Sequence, residues 1–127
     1  MTRPLPRALF AFSAVALAFG AFMHTRAFPR TAAAVSSSNI APFFGSSLQA
    51  LWLIDSAVLL TVAAIFGLVA VRPAAGSRPV LALVSIIPGA TAFFLYRFLG
   101  SFVPAHLLLA AALAALVGAV LLPADGR

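Results

Sequence analysis

The chain has no cysteine, no lysine and no glutamate among its 127 residues, and only 8% of it is charged. Without cysteine there are no disulfides, thiolate metal sites, iron–sulfur clusters or cysteine nucleophiles. With aspartate as its only acid, at Asp55 and Asp125, it lacks the density of carboxylates that most hydrolytic sites use. No serine lies in a nucleophile elbow. Soluble domains are about 25% charged and about 45–50% apolar, so an ordinary soluble fold is excluded. At 64% hydrophobic, the chain is equally far from intrinsic disorder.

What remains is the composition of an integral membrane protein with little mass outside the bilayer. All eight basic residues are arginines: Arg3, Arg7, Arg26, Arg30, Arg72, Arg78, Arg97 and Arg127. They are scattered singly beside apolar runs, as flanking charges of membrane helices are. Nucleic-acid binding needs a continuous basic footprint, so no nucleic-acid partner is expected. Arginine as the sole base, with abundant alanine, suggests a bacterial genome of high GC content.

A membrane-spanning helix takes about 20 mainly apolar residues. Four runs meet that length: 8–28, 46–71, 79–99 and 103–122. The fold class expected is therefore all-α, a single membrane domain in which four helices form an up-down bundle of antiparallel neighbours. The segment 29–45 reads as the one long loop, its serines solvated and Pro42-Phe43-Phe44 anchoring at the interface. Arg3 and Arg7 ahead of the first run also describe a secretory signal, with Ala32-Ala33-Ala34 as a late cleavage site. A retained helix is the preferred reading, because the run is long and no small-x-small site follows it directly.

The arginines divide into Arg3, Arg7, Arg72, Arg78 and Arg127 on one side and Arg26, Arg30 and Arg97 on the other. The positive-inside rule then gives a multi-pass protein of the bacterial inner membrane with both termini cytoplasmic. Pro88-Gly89 should kink the third helix. Ala110, Ala114 and Gly118 recur at four-residue spacing, with Ala111 and Ala115 beside them, and Ala14 and Ala18 share that spacing in the first helix. Such faces pack helices closely, within one bundle or between copies. Internal repeats are not evident in the sequence.

Polar residues concentrate in one half of the bundle. With about 1.5 Å of rise per residue, His24 lies about 6 Å below the outer end of its helix, Gln49 and His106 about 4 Å, and Arg97 about 3 Å. Trp52 comes at about 9 Å and Asp55 at about 13 Å, near mid-membrane. A charged aspartate there costs about 2.5–3.5 kcal/mol, so it should face the interior and find a partner. Gln49, Trp52, Asp55 and Ser56 share a face by three- and four-residue spacing, and the cation expected to reach Asp55 is Arg97.

Three functions follow. One is a non-enzymatic accessory or interaction subunit, with the lipid bilayer, a second copy or another membrane protein as partner. The second is binding or transport of a small lipophilic or cationic ligand, in a pocket of Asp55, Arg97, His24, His106, Gln49, Trp52 and Tyr96. The third is a membrane enzyme using Asp55 and a histidine as acid and base. No cofactor is implied. A metal bound by His24, His106 and Asp55 meets the difficulty that the imidazoles are about 8 Å shallower than the carboxylate. The size and four-helix layout resemble the small multidrug transporters. Those carry an essential glutamate in the first helix, which this chain lacks, so no residue is carried over.

Overall fold

The structure, a computed structural model, describes residues 4–123. Arg3, Asp125 and Arg127 lie outside the described residues. Four helices follow one another: α1 (Pro4–Ser36), α2 (Pro42–Val71), α3 (Arg78–Leu99) and α4 (Val103–Leu121). Each is long and apolar enough to cross a membrane. The all-α four-helix bundle is what the apolar runs imply.

The helix ends show why the runs stop where they do. α2, α3 and α4 each open with a proline in the first turn, where its missing N–H costs nothing. α3 ends at Gly100, whose φ of 80° is a conformation that L side chains rarely adopt. Only Ser101 and Phe102 then separate it from α4.

The first hairpin is longer than its apolar runs suggest. α1 does not stop at residue 28 but continues through Pro29 to Ser36, and α2 begins at Pro42 rather than at 46. The expected long loop shrinks to residues 37–41. Proline removes one backbone bond, yet tertiary contact carries the helix past it. Val35 packs so closely on Gly45 that a β-carbon at 45 would lie 2.9 Å from its Cγ1. Ala32–Ala34 are inside α1. With 33 and 30 residues, α1 and α2 span about 50 and 45 Å, whereas the 22 and 19 residues of α3 and α4 span about 33 and 29 Å. The first hairpin therefore projects well past the second at the turn between α1 and α2.

The helices pack in the order α2–α1–α4–α3, with α1 against both α2 and α4 and with α3 against α4. In lipid, burial of apolar surface gives no drive to associate, so close packing and hydrogen bonds must hold the helices. Phe10 and Phe66 pack across α1 and α2 with ring centroids 5.7 Å apart and planes tilted by 38°. Gly118 receives the edge of Phe10, and Gly89 lets α3 approach Ala112. On α4 the buried small residues are Ala105, Ala111, Ala112, Ala115, Gly118 and Ala119, while Ala110 is exposed. Ser13 is fully buried, and its hydroxyl is shared between the carbonyls of Leu9 in its own helix and Ala111 of α4, each at 2.9 Å, so that it bridges α1 and α4.

The two hairpins repeat one another. The buried residues of α2, from Ser56 through Leu59, Val62, Ala63, Phe66 and Val69 to Ala70, correspond one for one to Ala105, Leu108, Ala111, Ala112, Ala115, Gly118 and Ala119 of α4. Between α1 and α3 the match is partial: the buried Phe10, Leu17 and Ala21 correspond to the buried Leu81, Pro88 and Ala92, whereas Pro6, Ser13 and Ala16 correspond to Ser77, Val84 and Ile87, which are not buried. The arginines agree as well. Arg7 Nε donates to the carbonyl of Ala70 at 2.9 Å, and Arg78 Nε to that of Ala119 at 3.3 Å, with Arg78 also bonded to Val120. In each hairpin an arginine from the start of the first helix thus satisfies orphan carbonyls at the end of the second, where the helix dipole favours a cation. Arg26 and Arg97 follow these arginines by the same interval, about 28 Å along a helix, close to the roughly 30 Å of a bilayer's hydrocarbon core.

Candidate functional site

The polar side chains expected to form one pocket separate into two clusters, one in each hairpin. In the first, α1 presents His24 to α2. The imidazole stacks on Trp52 with ring centroids 4.0 Å apart and planes 8° from parallel. Trp52 Nε1–H donates to the carbonyl of His24 at 2.8 Å, so one residue is held by ring and by backbone. Ser56, one turn further along α2, donates to the carbonyl of Trp52 at 3.2 Å. Its hydroxyl also lies 2.9 Å from His24 Nδ1, which donates or accepts according to the tautomer. That leaves His24 Nε2 facing Asp55 Oδ2 at 3.8 Å.

Asp55 is therefore partnered by His24, not by Arg97. Arg97 is exposed on α3, at the far end of the helix row, with its guanidinium 5.7 Å from the ring of Phe98. The depth argument fails for a specific reason. Because α2 starts at Pro42, its first turns belong to the projecting part of the hairpin, and Asp55 comes level with His24 rather than about 8 Å below it. Gln49 is on the same helix about 9 Å further out and does not join the cluster.

The second cluster lies at the outer end of α3 and α4. Tyr96 Oη is 2.5 Å from His106 Nδ1, and Ser101 Oγ is 3.1 Å from His106 Nε2. Both nitrogens of His106 are occupied, by the end of α3 and by the turn that follows. His106 is exposed and Tyr96 half-buried.

Serine, histidine and aspartate meeting at one place invites comparison with a hydrolytic triad. The geometry does not deliver one. Ser56 is only 7% exposed, too enclosed for a substrate carbonyl to reach its hydroxyl. Its own and neighbouring N–H groups lie inside a helix, which leaves no donors for an oxyanion. At 3.8 Å the carboxylate is beyond hydrogen-bond reach of the imidazole. Nor, among the described residues, do three metal-ligating side chains converge, since His24 and Asp55 belong to one cluster and His106 to the other. His106, held by Tyr96 and Ser101, stands apart from His24 and Asp55, an obstacle that depth arithmetic does not reveal.

What the first cluster does is join two helices at three points: a stack, a hydrogen bond to backbone and a hydrogen bond between side chains. Sequence reasoning found Trp52, Asp55 and His24 but gave Ser56 no partner. The signal for it was present, because Ser56 is four residues from Trp52 on the face assigned to the interior. Compared with known proteins, the chain matches no family model, no curated protein and no solved structure.

Proposed function

We propose that this is a non-enzymatic multi-pass membrane protein that works by associating with protein in the bilayer, as an accessory or interaction subunit. One observation carries the reading. Apart from Ser13, which reaches from α1 to α4, the polar side chains that bond between helices do so within one hairpin, on the partner helix or its turn, and form two separate clusters rather than one. Such bonds fix helix neighbours, at about 0.6 kcal/mol for an average polar contact. The chain then has helix faces to offer, and little else.

The same reading puts the protein in the bacterial inner membrane with both termini cytoplasmic. Arg7, Arg72 and Arg78 support it at one end of the bundle, with Arg3 and Arg127 adding to that side by sequence. The test is extraction from its native membrane in a mild detergent, followed by the mass of the particle and the identity of its components. An oligomer or a stoichiometric partner is expected. A monomer with no partner overturns the proposal.

One observation favours a second reading, binding of a small lipophilic cation. The Asp55 side chain is 37% exposed beside the Trp52–His24 stack, and its contact with His24 is loose. Under that reading Asp55→Asn abolishes binding of a lipophilic cation such as tetraphenylphosphonium. Unchanged binding, or none by the unaltered protein, removes it.

A further inference from the structure

The two hairpins meet chiefly at one joint. The first helix of hairpin one, α1, packs on the second helix of hairpin two, α4. The repeat implies an equivalent joint between α3 and α2. Within the chain that joint is not built, because α2 and α3 stand at opposite ends of the helix row. We infer that it is built between two copies: α3 of one chain packs on α2 of the other, and a two-fold axis along the membrane normal makes both such joints at once. This names a second copy as the partner and rests on the association reading above.

The correspondence can be followed residue by residue. Ser13 of α1 is fully buried beside Ala111 of α4, whereas its counterpart on α3, Val84, is half-buried, although Val62, the counterpart of Ala111 on α2, is buried already. Gly20 of α1 faces Leu107 of α4 at van der Waals distance. Their counterparts are Thr91 on α3 and Val58 on α2, and Val58 is 36% exposed. Measured along the helices from the arginine clamps, Val58 is about 18 Å from Ala70 and Thr91 about 19 Å from Arg78, so the two lie at one depth. Helix direction is also right, since α3 and α2 of the copies run antiparallel as α1 and α4 do. Charge agrees with this. The joint brings α2, with the half-exposed carboxylate of Asp55, against α3, whose Arg97 is about 6 Å further out along the same axis. An isologous pair closes on itself and leaves no further α2 or α3 free, so assembly stops at two.

Because the chain has no cysteine, disulfide trapping has no background. Two differently tagged chains, one carrying Val58→Cys and the other Thr91→Cys, are co-expressed and oxidised in native membranes. A mixed disulfide dimer is expected. Leu60→Cys paired with Phe93→Cys, on outward faces of the same helices, is expected to give none. The double variant Val58→Cys/Thr91→Cys in a single chain should form covalent dimers. Closure within one chain, or equal trapping by the outward pair, overturns the inference. So does no trapping when both single variants reach the membrane in normal amount. If trapping fails while a different protein co-purifies in stoichiometric amount, the second copy is refuted and the accessory role stands. If trapping fails and the particle is a monomer, both are refuted.

Discussion

The two hairpins share one plan and differ in how they close it. At the arginine-clamped end they are near copies, each with a guanidinium on the last carbonyls of the neighbouring helix. At the other end they diverge. The first hairpin runs on past Arg26 for several turns and stacks His24 on Trp52. The second turns at once through Gly100 and ties Tyr96 and Ser101 to an exposed His106. The difference shows which end is structural scaffold. A clamp repeated at equivalent positions is part of how the helices pair, whereas the unequal ends are where the two hairpins have taken on different roles.

The largest expected effect separates those unequal ends. Trp52→Ala removes the stack and the bond to the His24 carbonyl, and leaves a gap between α1 and α2. Large-to-small changes at packed aromatic sites cost about 3–5 kcal/mol when fully buried, and a half-buried tryptophan should lose about 2 kcal/mol. His106→Ala, at the exposed cluster, should cost below about 1 kcal/mol. Reversible unfolding in micelles, or steric trapping in bicelles, reads both. Equal losses would break the distinction between a holding cluster and a peripheral one.

Glycines sharpen the comparison next. Gly45→Ala puts a β-carbon 2.9 Å from Val35 Cγ1 in the projecting hairpin, and overpacking of this kind costs about 1–3 kcal/mol. At Gly89, in the compact hairpin, the new carbon meets Ala112 at an ordinary 3.6 Å. Gly89→Ala should therefore be neutral or stabilise by up to about 1 kcal/mol, from helix propensity alone. The same unfolding measurement checks the opposite signs. If both variants destabilise alike, the extension of α1 past Pro29 does not pack as tightly as described.

Much of this was readable from residues alone. Four apolar runs gave four helices, and the proline and glycine punctuation placed most of their ends within a residue or two. The reading of 29–45 as one long loop fails, because α1 and α2 both extend into it and pack on one another there, with Val35 against Gly45, positions that only the fold brings together. The same error displaced Asp55 in depth and so assigned it Arg97 in place of His24. The repeat was hidden because it resides in which positions are buried. Arg7 with Arg78, Ala21 with Ala92 and Arg26 with Arg97 are among the few identities that accompany it, and the insertion of the projecting hairpin breaks a single offset into two.

The smallest effect bears most directly on the shared plan. Arg7→Gln and Arg78→Gln each shorten a side chain that caps a neighbouring helix, and each frees carbonyls that sit near the negative end of a helix dipole. A cation so placed contributes about 0.3–1 kcal/mol, less when water reaches the site. If the clamps are equivalent, the two variants should cost the same, and the double variant should cost their sum, because the sites are in different hairpins and share no partner. High salt should shrink all three losses in parallel. A loss at Arg7 with none at Arg78 would mean that the correspondence of buried positions is not matched by a correspondence in how the hairpins are held. A double variant well below or above the sum would couple the hairpins at that end, and would place their joint nearer the clamps than the Ser13–Ala111 bond suggests.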